Sequence, residues 1–479
     1  MLYKTDDDTE DWRSDRFSYQ DPNDSFLRLS KKNPPILPEI EITEIFMQAF
    51  NPVGFNFKDG VMTISSQLED LFNVLYYKKD ISGNVVNVIR NSPILPFIYD
   101  YLDFVIRFYG NKDNYGVQIM LPCMLIGIFL ENHIFLPIEI ASTPIIKTLC
   151  MFAKSERDVE QIAGVDALSF MIQPNCPLPE YVVRKFLPLV LSFRTSFKTN
   201  SARLGCLYFI HDLFKYIKDI PIEKFAEANE EFYYAFTDKK HRYKELYSSI
   251  LDCIRMEILY YPQSFQMLLE RNLIQIANLL LCSNRSEVVV SANRLFSVIF
   301  TTKEYDLSPL SKELKYSSIL TSCGNEIELN VQESALWLLI DISTRGPIFI
   351  EQILNRDTLK FLNDIFESQD IGPKKLFIKL VTNFLYHSSP DQEVHIITSP
   401  LTEKACSEIQ IFDERDIYKF LMAIQIALQK LSKTSMYFQV KQRLLQTTFF
   451  QSLIELDSSE FEILVNLSRS IITILQSDD

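Results

Sequence analysis

The 479-residue chain is 47% hydrophobic and 23% charged, with a net charge of −14, the composition of a large apolar core under an acidic surface. That charge excludes a general nucleic-acid binder, whose affinity comes mainly from Lys and Arg neutralising phosphates, and suits a basic protein partner or simple solubility. Glycine is scarce, at 11 residues, and neither G-x-G-x-x-G nor G-x-x-x-x-G-K-[ST] occurs, so the usual glycine-built phosphate cradles are excluded and no cofactor is expected.

Residues 1–42 read as an acidic, disordered tail. Asp6, Asp7, Asp8, Glu10 and Asp11 stand beside Trp12, Phe17 and Tyr19, and Pro34, Pro35 and Pro38 oppose a packed helix. The tail is either a solvated leader or a peptide that a partner, or the chain's own groove, can bind. Its opening lacks the apolar core of a signal peptide.

From Thr43 to Asp479 helix follows helix, enough for about eight to ten repeats. Val117 to Leu130 is almost wholly apolar, but it is shorter than the roughly 18–20 residues a bilayer requires and contains Pro122. It reads as a buried core helix. Landmark helices recur near Val117, Val159, Ser201, Leu246, Val288, Val331, Lys374 and Ile417, at intervals of 42 to 45 residues. Ala163 and Gly164 are small enough to let neighbouring helices approach closely.

Breaks are expected at Pro137, Pro177, Pro179, Pro221, Pro262, Pro309, Pro347, Gly372-Pro373, Pro390 and Pro400. Asp238 to Lys244 is the densest basic run and reads as a solvated turn between repeats. Phe461 to Leu475 is amphipathic and ends in a polar Gln-Ser-Asp-Asp, suited to a capping unit.

The stretch Leu273–Leu385 carries the clearest internal repeat. Val288, Ala292, Leu295 and Ile299 recur as Val331, Ala335, Leu338 and Ile342, each 43 residues on, and the last pair returns as Val381 and Leu385. A fixed period in this range marks stacked helical modules, none of which can bury its own apolar face alone. No consecutive segments alternate as strands do. The expected fold is therefore all-α, a right-handed α-solenoid of armadillo/HEAT-type helical repeats.

Ile276-Ala277-Asn278-Leu279-Leu280, followed by Glu287-Val288, Ala292 and Leu295, resembles the armadillo repeat, as do Val331 to Trp337 and residues 157–171. The resemblance extends distantly to importin-alpha-like and beta-catenin-like proteins. It implies that the third helix of each repeat lines a groove for extended peptides. The nuclear import adaptors of this superfamily place a Trp there and an Asn four residues later. At that register this chain has Arg294/Val298, Trp337/Asp341 and Leu380/Phe384, so one unit keeps the Trp and none the Asn. The basic importin-binding segment is replaced by the acidic tail. These departures argue against the binding of classical nuclear localisation signals.

Catalysis has little to stand on. The five histidines are scattered, and neither H-E-x-x-H nor G-x-S-x-G is present. His211 and Asp212 are helix neighbours, expected to diverge by about 100° and so not to form an oriented pair. The eight cysteines are spread singly, as apolar filler in a reducing compartment rather than as metal ligands.

The sequence thus predicts a non-enzymatic scaffold of the cytoplasm, with the nucleus as the alternative compartment, and without a membrane span. Its expected partner is a protein or extended peptide, a basic one among the candidates, held at Arg294, Trp337 and Asp341. A divergent nuclear transport adaptor and a regulatory subunit of a kinase or phosphatase are the alternatives.

Overall fold

The structure, a computed structural model, describes residues 83–109, 116–302, 305–324, 327–354, 358–368, 371–409, 412–456 and 460–477, with Leu68, Leu71, Phe72 and Leu75. The tail over 1–42 and the expected start of the array at Thr43 lie outside the described residues. Among the described residues every regular element is a helix and there is no strand. The chain divides into two compact units, Met1–Leu246 and Tyr247–Asp479, each built by one rule.

In the first unit α1 (Ile94–Tyr109), α2 (Gly116–Glu131), α3 (Ile145–Ala153), α4 (Asp158–Ser169), α5 (Glu180–Lys185) and α6 (Asn200–Tyr216) carry the architecture. Helices α2, α4 and α6 pack in succession. Helix α2 is the long apolar segment, and every side chain from Ile119 to Leu130 is buried. A helix apolar all round needs neighbours on all sides, and α2 has them despite Pro122 in its interior. No described helix is long and apolar enough to cross a membrane.

Gly164 performs the role its size suggested. A Cβ there would lie 2.5 Å from the Ala153 amide nitrogen and 2.7 Å from the Leu149 carbonyl oxygen. Helix α4 therefore rests on the backbone of α3.

In the second unit α7 (Tyr247–Tyr260), α8 (Leu273–Leu280), α9 (Ser286–Thr301), α10 (Leu329–Ser343), α11 (Ile371–His387), α12 (Pro390–Ile397), α13 (Glu414–Leu431) and α14 (Glu462–Gln476) are the principal elements. Helices α7, α9, α10, α11, α13 and α14 pack each on the next. Seven of the eight landmarks fall inside such a helix, and Leu246 immediately precedes α7. The 43-residue ladder is core throughout: Val331 is 4% exposed, and Ala292, Leu295, Leu338, Ile342, Val381 and Leu385 are 0% exposed. Each buried Leu, Ile or Val contributes roughly 1.5–3 kcal/mol relative to an exposed one.

Helix starts are chemically marked. Pro137, Pro347, Pro390 and Pro400 open helices in their first turns, where an N–H has no partner to lose. Gly372-Pro373 does not interrupt the chain but sits in the first turn of α11. At α12 the Ser389 hydroxyl accepts from the Gln392 amide while the Gln392 side chain accepts from the Ser389 amide, a reciprocal cap.

Polar side chains also tie one module to the next. Arg345 donates to Phe300 O at 2.6 Å, to Ile299 O at 3.2 Å and to Thr302 O, closing the end of α9. Lys430 reaches Tyr386 O, near the end of α11, at 3.4 Å. These helix ends would otherwise present orphan carbonyls.

The last helix ends in the expected polar residues where the structure describes them, with Gln476 and Ser477 exposed and residues 478 and 479 outside the described residues. Leu464, Leu467, Ile471 and Leu475 form its buried stripe, but Ile463 is 67% exposed, and Phe438, on the helix Tyr437–Gln446, 69%. Ile463 adjoins the stripe in sequence yet lies about 100° around the helix from Leu464, off the packed side.

Candidate peptide-binding face

The third helices of the second unit, α9, α10, α11 and α13, expose one polar face in a regular series. On α10 this face carries Glu333, Trp337 and Asp341, spaced four apart so that they align along one side. Trp337 is 39% exposed, while its neighbours Leu336 and Leu338 are buried. Arg294 holds the corresponding exposed position on α9. The structure thus sets Trp337 and Asp341 one turn apart and Arg294 on the adjoining helix.

The third register pair is different. Leu380 and Phe384 are 0% exposed and belong to the core. The face of α11 is formed instead by Lys379 and Asn383, which follow Trp337 and Asp341 by 42 residues and so lie one residue ahead of the position the 43-residue core ladder marks. The Lys379 ammonium lies 5.3 Å from the centre of the Trp337 ring and 3.5 Å from the Asp416 carboxylate on α13. The Asn383 amide donates to Ile340 O at 3.3 Å. An Asn therefore does occupy this face, four residues after a Lys rather than a Trp. A strict 43-residue register hid it.

Hydrogen bonds link the same helices rung by rung. The Ser248 and Ser291 hydroxyls are 2.8 Å apart, Ser291 also donates to Asp252 at 3.2 Å, and Asn293 donates to Ser334 at 3.0 Å. Asp341 belongs to this set. It is partly buried, and burial lifts its carboxyl to about 7 against the opposing hydrogen bond from Ser297.

A carboxyl raised in the folded state binds its proton more tightly there than when unfolded. Its contribution is intact below pH 4 and is lost as pH rises toward 7. Asp341→Asn should therefore stabilise the protein at pH 8 by about 1 kcal/mol, discounted for partial exposure, and change little at pH 4. Thermal unfolding at the two pH values checks this, and an equal shift at both would contradict it.

Two other sequence expectations change. His211 Nδ1 lies 3.2 Å from Asp212 Oδ1, so these neighbours do pair, their side chains bending toward each other where their Cβ directions diverge. Both are buried, at 5% and 1% exposure, and their pairing serves the core of α6. The basic run is not simply solvated. Arg242 is clamped by Asp238 at 3.1 and 3.2 Å, and the buried Tyr243 ring receives Arg203 at 4.9 Å. Among the described residues no cluster of His, Cys, Asp and Glu suits a metal ion.

No family model and no curated protein sequence matches the chain. Among solved structures, an engineered protein from a structural genomics consortium is similar at a TM-score of 0.62 and 11% identity, over 91% of this chain and 99% of that one. Importin beta, crystallised in an ammonium sulfate condition, is similar at a TM-score of 0.52 and 10% identity over 91% of this chain, which spans 55% of that one. A designed armadillo repeat protein in complex with a (KR)4 peptide aligns with 51% of this chain at 14% identity and a TM-score of 0.43. At such identities the likeness is one of fold, and the fold is an all-α array of armadillo/HEAT-type helical repeats.

Proposed function

We propose that the chain is a non-enzymatic scaffold that holds an extended peptide or partner protein along the third-helix face of its second unit, with Arg294 and Trp337 as contacts and Asp341 setting the local charge. The observation that supports this reading is the half-exposed Trp337 ring with the Lys379 ammonium above it. An exposed aromatic plate that already binds a cation from its own chain can bind one from a ligand. Glu333 and Asp341 add acceptors beside it, which favours a basic side chain over an acidic one. Repeated rungs keep the face ordered before binding, so little entropy is lost on association.

Affinity purification of the full chain beside the Arg294→Glu/Trp337→Ala double variant tests the assignment. A defined set of partners is expected to be lost. Those partners should also bind Trp337→Ala about tenfold or more weakly, the usual effect of removing a central aromatic, and Lys379→Ala more tightly, since the competing cation is gone. Survival of every partner in the double variant would remove the face from consideration.

A further inference from the structure

A second feature lies in the first unit. A cavity of about 600 Å³ opens between α1, α3, α4 and α5, and Lys147, Lys154, Lys185 and Tyr181 line it with an apolar wall that includes Met151 and Phe152. Lys147, Met151 and Lys154 follow one stripe of α3 and its C-cap, while Tyr181 and Lys185 are one turn apart on α5. Spacings of four and seven bring side chains to the same side of a helix. Both stripes converge on one hollow.

The charge of this hollow runs against that of the chain. Three ammonium groups border it, and its carboxylate, Glu160, is already held by Arg157 at 3.4 Å. Among the described residues no carboxylate pairs with Lys147, Lys154 or Lys185. The cavity also reaches the buried Cys150, whose thiol burial pushes up to about 11 while the Lys154 charge pulls it the other way.

We infer that this cavity binds a small, multiply phosphorylated organic molecule. Lys147 and Lys154 are seven residues apart on a helical path, about 10 Å along its axis, so an anion with phosphates spread over that span meets both without drawing the two ammonium groups together, with Lys185 closing from α5. The volume falls within the roughly 300–1,000 Å³ typical of small-molecule sites. The ring of Tyr181 and the side chains of Ile106 and Met151 give the carbon skeleton an apolar surface to rest on. Such a compound exists either free in solution or as a phosphorylated lipid headgroup, and the three lysines would recognise the same phosphates in both.

Titration calorimetry of the full chain with inositol hexakisphosphate, adenosine triphosphate and inorganic phosphate tests the site. One site for a polyphosphate is expected, with inorganic phosphate weaker by about a hundredfold, since it forgoes most of the charge-assisted contacts. Lys147→Gln, Lys154→Gln and Lys185→Gln should each weaken binding about tenfold. Lys239→Gln/Lys240→Gln, on the exposed turn, should leave it unchanged. All five lysines lie at exposed positions, and unaltered thermal unfolding confirms that the variants fold.

Sedimentation with vesicles containing phosphatidylinositol bisphosphate, set against phosphatidylserine vesicles, separates the two sources. Pelleting with the first alone assigns a headgroup, and binding of soluble polyphosphate without pelleting assigns a free ligand. The inference is overturned if neither polyphosphate binds, if the lysine variants bind as well as wild type, or if inorganic phosphate binds equally tightly.

Discussion

Gly164→Ala is expected to destabilise the first unit by about 2–3 kcal/mol, the range for forcing extra atoms into a tight interior, although intrinsic helix propensity alone favours alanine by about 1 kcal/mol. The sign is decided by what the new methyl meets. At Gly164 it meets the Ala153 amide nitrogen at 2.5 Å and the Leu149 carbonyl at 2.7 Å. Backbone atoms cannot rotate aside, so α3 and α4 must separate. Gly372→Ala is the control, since its Cβ would find only the Glu333 carboxylate, at an ordinary 3.5 Å. It should be neutral or stabilising by a few tenths of a kcal/mol. Denaturant unfolding, with hydrogen exchange followed in α3 and α4, distinguishes the two. Equal midpoints for Gly164→Ala and wild type would show that this helix contact is soft.

Lys430→Met should destabilise the second unit by about 3 kcal/mol near neutral pH, the usual result of stranding a buried charge. Glu393 on α12 is 0% exposed, and Lys430 lies 2.6 Å from its Oε1. The second carboxyl oxygen has no hydrogen-bond partner among the described residues. Burial already raises the Glu393 carboxyl, and the Lys430 ammonium restrains that rise. Without the ammonium the folded-state value climbs further, so the deficit should grow as pH rises above the unfolded value and shrink in acid. Burial, and after it the same ammonium, hold His387 down, so the imidazole should titrate at higher pH in the variant. Glu393→Gln/Lys430→Met should regain most of the loss. If the double variant is as unstable as the single one, packing rather than charge is the cause.

The helical-repeat fold was legible because its signal is redundant. Val288, Ala292, Leu295 and Ile299 announce a buried face, and their return at Val331, Ala335, Leu338 and Ile342 fixes the spacing of modules. Proline at helix starts gave the boundaries. The candidate face was less legible, because surface positions on a helix answer to geometry rather than hydropathy. Trp337 could be placed since its register is intact, whereas a one-residue shift on α11 concealed Lys379 and Asn383 behind the core residues Leu380 and Phe384. The lysine cavity was invisible for another reason. Lys147 and Lys185 come from different helices, and no linear motif records their meeting. Only a pairing of the α3 and α5 stripes could have suggested it.

The closure of α9 by Arg345 also has a consequence for synthesis. The carbonyls of residues 299, 300 and 302 are completed by a guanidinium that follows Thr302 by 43 positions. On the ribosome this module waits for its successor, roughly 2–9 s at 5–20 residues per second. During that interval its end is open to water, to chaperones or to a wrong neighbour. Maturation of the second unit should accordingly run from the amino end onward, each segment sealed by the arrival of the next.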